Sequence, residues 1–287
     1  MTRIDVRKTY KLYIGGAFPR SESGRVYPVH GADGTLLANA AQASRKDARD
    51  AVEAATKAQP GWAAATHHNR GQVLYRVAEM LEGRREQFVA EVAANEGLDE
   101  AAAGAQVDAA VDRWVWFAGW SDKFPQLAGA ANPVAGPYFN FSLPTPVGVV
   151  AAFAPESSSL LGLVDVLAPI VVSGNAVVLV TSHSRPLPAL TFAEVLATSD
   201  VPGGVVNVLA GDRGELGERL VGHLGVDAVD LTGFAGSDTT ELEVLAAEGV
   251  TRVLRAPAEE ADHTASPDPR RILAFCETKT VWHPMGV

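Results

Sequence analysis

The sequence predicts an α/β fold built on a parallel sheet. Two observations carry this expectation. From Val147 onward, short continuous apolar runs alternate with helix-period segments. Strands that are apolar on both faces belong to a parallel sheet covered by helices. Ahead of them, residues 44–120 carry four helical patterns in succession.

The chain begins with Leu12-Tyr-Ile-Gly-Gly-Ala-Phe18 followed by Arg25-Val-Tyr-Pro-Val29, which reads as a short hairpin with glycines at the turn. Ser44-Arg-Lys-Asp47 is an N-cap with an acid three residues on. Ala48, Ala51, Val52 and Ala55 then form one helical stripe. A second helix is predicted over 69–82, with Val73, Leu74, Val77, Met80 and Leu81 on one face. A third covers 84–95 and ends near Gly97. The fourth, 101–120, presents Val107, Val111, Trp114, Val115 and Ala118. The cluster Trp114, Trp116, Phe117 and Trp120 reads as core or interface packing.

Residues 126–137 form a Gly/Ala/Pro linker, and Tyr138–Ser142 a short alternating strand. Strands follow at 147–154, 175–180, 205–209 and 228–231. Helices at 160–172, 186–198, 214–222 and 238–248 separate or follow them, so this half is Rossmann-like. Residues 257–269 are charged and Pro-containing and read as an exposed linker. Ile272–Trp282 is one last strand-like segment.

Composition narrows the function. The chain is 47% hydrophobic and 20% charged, the range of soluble globular proteins. No apolar run reaches the ~18 residues needed to span a bilayer. The first residues lack the apolar stretch of a secretory signal, so a cytoplasmic location with no membrane partner is expected. Net charge is −10 without a basic cluster, which disfavours nucleic acid. The single cysteine, Cys276, excludes an intrachain disulfide framework, and the histidines show no metal-ligand spacing, so no metal is expected.

Several segments, in order, resemble the aldehyde dehydrogenase superfamily: Leu12-Tyr-Ile-Gly-Gly16, Ala118-Gly-Trp-Ser-Asp-Lys123, Pro146-Val-Gly-Val-Val150, Gly174-Asn-Ala-Val-Val-Leu179 and Val201–Gly211. The resemblance implies a cysteine nucleophile, a glutamate base, a pocket asparagine and NAD or NADP. The chain departs from that pattern at each point. Ser157 stands at the asparagine position. Arg255-Ala-Pro-Ala258 replaces the segment that would carry the base, and too little chain lies between the Thr145–Pro155 strand and the C-terminal strand segment at Phe275–Val287 to hold a catalytic domain. Cys276 lies in the resemblance's C-terminal strand, so no catalytic residue is assigned. Val180 and His183 stand where lysine and glutamate would hold the adenosine ribose. Gly233-Phe-Ala-Gly-Ser-Asp238 matches the phosphate-binding helix start, and a register shift would place Gly236-Ser237 there. Gly211–Gly217 reads as a strand-to-helix turn, since it lacks dinucleotide-loop spacing.

The resemblance therefore implies a truncated, degenerate member, similar to the pseudo-module of two-module aldehyde dehydrogenases. Residues 1–123 and 146–257 are the expected Rossmann-like core. Residues 124–145 and 272–287 are the strands of a small antiparallel oligomerisation sheet, and 258–271 replaces the catalytic domain. No cofactor is expected unless the crevice still works, in which case Phe153, Pro155, Gly211, Gly233 and Ser237 would form a vestigial NAD(P) site. Tyr138, Phe139, Phe141, Val281 and Trp282 are the expected interface with an active paralogue or with a second copy. Two alternatives stay open: a compact NAD(P)-dependent aldehyde oxidoreductase, and a nucleotide- or anion-binding module.

Overall fold

The computed structural model describes residues 8–286. Its centre is a five-stranded parallel sheet, formed by β5 (Val149–Phe153), β6 (Ala176–Val180), β7 (Val206–Leu209), β8 (Ala228–Asp230) and β9 (Arg252–Leu254). The order across the sheet is β7-β6-β5-β8-β9. Alternation along β5 divides the core in two. Val150 and Ala152 pack into one hydrophobic cluster, and Val149, Ala151 and Phe153 into another, because successive side chains of a strand leave opposite faces.

Helices α2 (His67–Glu82), α3 (Arg85–Glu96), α4 (Glu100–Trp120), α6 (Leu161–Val172) and α7 (Leu187–Ala197) fill the first side. Trp114 of α4 stacks on Phe192 of α7 at 5.8 Å. Helices α1 (Arg45–Ala64), α8 (Arg213–Val221) and α9 (Thr240–Glu248) cover the second. α1 starts where expected: Asp47 N donates to Ser44 Oγ while Ser44 N donates to Asp47 Oδ2, a capping box that satisfies otherwise free amides. α3 ends as expected at Gly97, whose φ of 74° suits glycine.

The α/β prediction and the core strands and helices hold to within a few residues. Other expectations are corrected. Leu12–Phe18 does not pair with 25–29. It closes on itself through Ile14 and Ala17, and Tyr13 bridges to Val208 at the sheet edge. β1 (Val26–His30) instead pairs with β2 (Leu36–Ala41), a strand whose small residues gave little apolar signal. β9 was too short to register. Residues 126–137 are not a plain linker, because α5 (Phe124–Ala128) and β3 (Ala130–Asn132) intrude. The segment 272–282 is split into α10 (Arg270–Ala274) and β10 (Cys276–Pro284). Val115 is 41% exposed, about 100° round the helix from buried Trp114.

A second, three-stranded antiparallel sheet runs β10-β4-β3, with β4 spanning Tyr138–Pro146. Asn175 fastens it to the core. Its Oδ1 accepts from Gly148 N at 2.8 Å, and its Nδ2 donates to Phe275 O at 2.9 Å and to Ser173 Oγ at 2.6 Å. Asn175 is fully buried, so replacing it by alanine strands both backbone partners. Denaturant unfolding of Asn175→Ala should show a loss of about 2–3 kcal/mol. Asn175→Asp, which keeps only the acceptor, should not restore the wild-type midpoint.

Candidate functional site

In an open parallel sheet, ligands meet the carboxyl ends of the strands where the covering helices part to opposite faces. Here that place lies between β5 and β8, with α6 on one face and α8 on the other. The residues just past the strands define it: Ala154–Glu156 after β5, Thr181–Ser184 after β6, Ala210–Arg213 after β7 and Thr232–Phe234 after β8.

The chain's own side chains gather at this place around Glu156, whose side chain stays 40% exposed. Its carboxylate accepts from Ser182 Oγ at 2.6 Å, His183 N at 2.9 Å, Ser184 Oγ at 2.7 Å and Arg213 Nη1 at 2.9 Å. Burial alone would raise its pKa. The hydrogen bonds from Ser182, His183 and Ser184 and the Arg213 charge outweigh burial and hold the carboxyl down at about 2. Arg213 also donates Nη2 to Gly233 O at 2.7 Å and lies 4.5 Å above the Phe234 ring. Phe234 in turn meets Phe153 edge-on at 4.8 Å. His183 donates Nδ1 to Gly211 O and stacks on Tyr27 at 4.7 Å.

The five residues expected around a cofactor lie at or near these strand ends. Phe153 is buried beneath Phe234. Gly233 passes so close to β5 that a Cβ would stand 2.1 Å from Phe153 O, so only glycine fits. Pro155 packs by Gly162, and Gly211 holds His183. Ser237 is exposed, three residues before α9 begins at Thr240. At the shifted phosphate register both amides already have backbone partners. Gly236 N donates to Pro257 O and Ser237 N to Phe234 O, so neither amide is free. Asp238 accepts from Thr240 N and places a carboxylate at the helix start.

Residues 255–269 contain neither helix nor strand. They are more firmly held than an exposed linker implies. Arg113 donates Nη2 to His263 O and Ala265 O at 2.9 and 2.8 Å and pairs through Nη1 with Asp165. His263 Nδ1 meets Asp165 Oδ2 at 2.8 Å. Ser157, at the asparagine position, donates its hydroxyl to Glu260 in this segment. Cys276 pairs with Pro146, which precedes β5, so it lies toward the opposite end of the sheet from the crevice. Burial pushes its thiol up to about 12, against the lowering effect of Arg252 and Arg70.

Sequence reading missed Glu156, Arg213, Asp165 and Arg113. Glu156 and Arg213 are 57 residues apart and meet only in the fold. Their one sequence signal is a charge beside a buried strand end. Among the described residues no group of His, Cys, Asp and Glu could hold a metal ion, and no helix is long and apolar enough to cross a membrane. On the smaller sheet Tyr138, Phe139 and Trp282 are exposed, Trp282 by 59%, while Phe141 and Val281 are half-buried.

Comparison with known proteins agrees with this architecture. The chain is 31% identical over 269 residues to cytosolic 10-formyltetrahydrofolate dehydrogenase of Mus musculus, covering 90% of this chain and 29% of the mouse protein. It is 30% identical over 267 residues to DhaS of Bacillus subtilis, covering 91% of this chain and 52% of DhaS. It thus spans about half the length of that relative, and less of the mouse one. The NAD⁺ complex of a Bacillus cereus aldehyde dehydrogenase superposes with a TM-score of 0.80 at 26% identity, covering 86% of this chain and 50% of that one. PnpE from Pseudomonas sp. WBC-3 superposes with a TM-score of 0.81 at 27% identity, covering 86% of this chain and 50% of its own. Residues 18–256 match the aldehyde dehydrogenase family, and the chain belongs to that family.

Proposed function

We propose that this chain is a catalytically defective aldehyde dehydrogenase-like subunit, a structural or regulatory partner of an active NAD(P)-dependent aldehyde dehydrogenase. The partner is an active paralogue or, by default, a second copy. In this reading residues 1–123 and 146–257 are the core, 124–145 and 272–287 form the assembly sheet, and 258–271 stands in place of a catalytic domain. The site is then that of a pseudo-module. A cytoplasmic location goes with this reading.

One observation carries it: Glu156, locked by Ser182, Ser184 and Arg213, occupies the crevice where a cofactor would seat. A dinucleotide is polyanionic and would meet a fixed carboxylate there, with a second one, Asp238, at the start of α9. The residues present do not fit NAD(P). The loss of the Gly236 and Ser237 amides to Pro257 and Phe234 also weighs against a nucleotide-binding module. The high pKa of the Cys276 thiol weighs against a compact oxidoreductase, since the thiolate is the nucleophile.

For assembly, the support is the three-stranded sheet, which carries exposed aromatic residues on both faces, Tyr138 and Trp282 on one and Phe139 on the other. Tyr138 meets Trp282 edge-on at 5.8 Å, with Phe139 and Met285 also exposed. Exposed aromatic residues on one sheet suit an interface, where such side chains supply most of the binding energy.

Two outcomes test the proposal. Calorimetry should show NAD⁺ binding with Kd on the order of 1 mM or weaker, no better than about −4 kcal/mol. Micromolar affinity would overturn the cofactor reading. Sedimentation of the full chain, alone and co-expressed with an active family member, should show an oligomer burying about 1,600 Å² or more per interface. Phe139→Glu with Trp282→Glu should shift it to monomer. A wild-type chain that is a stable monomer and does not co-purify with the family member would refute the partner reading.

A further inference from the structure

The three-stranded sheet ends at β10, which pairs with β4 on one side and, among the described residues, with no strand on the other. The pairing keeps one register through all nine residues of the strand. Proteins commonly blunt an exposed edge with a bulge, with proline or by keeping the strand short. β10 uses none of these along its length, and its one proline, Pro284, is its last residue.

Two hydrogen bonds just past the ends of β10 fix which backbone groups point outward. Val147 N donates to Phe275 O at 3.2 Å, and Met285 N donates to Pro137 O at 2.8 Å. Both continue the β10–β4 register. In an antiparallel ladder, residues that bond the partner alternate with residues whose N–H and C=O point away from it. Glu277, Lys279, Val281 and His283 therefore bond β4, and Cys276, Thr278, Thr280, Trp282 and Pro284 present their backbone to the free edge.

The two outer members of that set cannot pair fully. Cys276 O already accepts from Arg252 Nη1, and Pro284 has no N–H to give. Thr278, Thr280 and Trp282 remain. All three are exposed, and their N–H and C=O groups have no partner among the described residues. The set is symmetric about Thr280, as a two-fold axis requires of an edge that pairs with itself.

We infer that the chain self-associates by antiparallel pairing of β10 with β10 of a second copy, centred on Thr280, which joins the two three-stranded sheets into one. Thr280 then faces Thr280 of the second copy, and Thr278 faces its Trp282. Each facing pair exchanges two backbone hydrogen bonds. Between them Lys279 lies beside Val281, and Glu277 lies opposite His283, so no like charges meet across the pair. Moving the axis to Lys279 sets that lysine against its own copy and brings in Cys276, whose carbonyl is taken. Moving it to Val281 brings in Pro284. The inference rests on the reading of the small sheet as the assembly surface, and it adds the strand, the register and the occupant.

The test uses the full chain, which should sediment as a dimer. Thr280→Pro removes the central N–H, which points away from β4, so the β10–β4 ladder keeps its bonds. This variant should raise the dimer dissociation constant at least tenfold with an unchanged circular dichroism spectrum, whereas Thr280→Val, which keeps the N–H, should not. Cross-linking in a Cys276→Ser background, with copper–phenanthroline as oxidant, reads the register. In the paired dimer the Cα atoms of the two residues 280 stand about 5.5 Å apart, within reach of a disulfide, and those of the two residues 278 about 14 Å or more. Thr280→Cys should therefore cross-link at least tenfold faster than Thr278→Cys. Equal cross-linking of the two, or a folded Thr280→Pro chain that associates as tightly as wild type, overturns the inference while association itself leaves the assembly reading standing. A wild-type monomer that co-purifies with an active family member overturns the edge pairing alone, and one that does not overturns both.

Discussion

Four parallel strands that are buried on both faces impose the constraint on which the rest of this structure depends. Every residue of β5, β6, β7 and β8 is buried. Such a sheet is stable only when helices cover both sides. That is why α6 and α7 are buried almost all round, and why two separate hydrophobic clusters form from alternate residues of one strand. The same constraint creates the crevice, since helices that leave β5 and β7 for opposite faces part at the strand ends. The crevice is a by-product of the packing and persists whatever chemistry occupies it.

What occupies it is an internal anion. Backbone and hydroxyl donors after β6 and the Arg213 guanidinium would attract a negatively charged ligand, and Glu156 answers them first. A tethered carboxylate lost most of its freedom when the chain folded, whereas an external anion must lose its own on binding. The donors are therefore satisfied at lower entropic cost from within. Arg213 also braces Gly233 O and covers Phe234, so the plug is continuous with the wall beneath it. In the proposed reading, the chain's own side chains take up the place at the strand ends that a ligand would use.

The fold was legible wherever local pattern decides structure. Apolar runs located β5 to β8, and the Ser44–Asp47 pair located the start of α1. Legibility failed where partners decide. The glycines at 15 and 16 signal a turn but not which strand lies beside it, and β1 found β2 instead. β9 has three residues, too few for a periodicity, and exists because β8 lies alongside it. The site was less legible than the fold. Ser157, Val180 and His183 were readable as departures from a family pattern. Glu156, Arg213, Arg113 and Asp165 carry charges that look like ordinary surface until the strand ends bring them together.

The central claim is that the chain keeps the family's fold without its independent chemistry. The most direct measurement is aldehyde-dependent NADH formation by the purified chain in the absence of any other family member. Family enzymes act by a thiolate attack that a thiol held near 12 does not supply at neutral pH. The account predicts no turnover above the uncatalysed background, for the wild-type chain and for Cys276→Ser alike. Steady turnover by the wild-type chain contradicts it, and turnover that persists in Cys276→Ser would place a catalytic group elsewhere in the molecule.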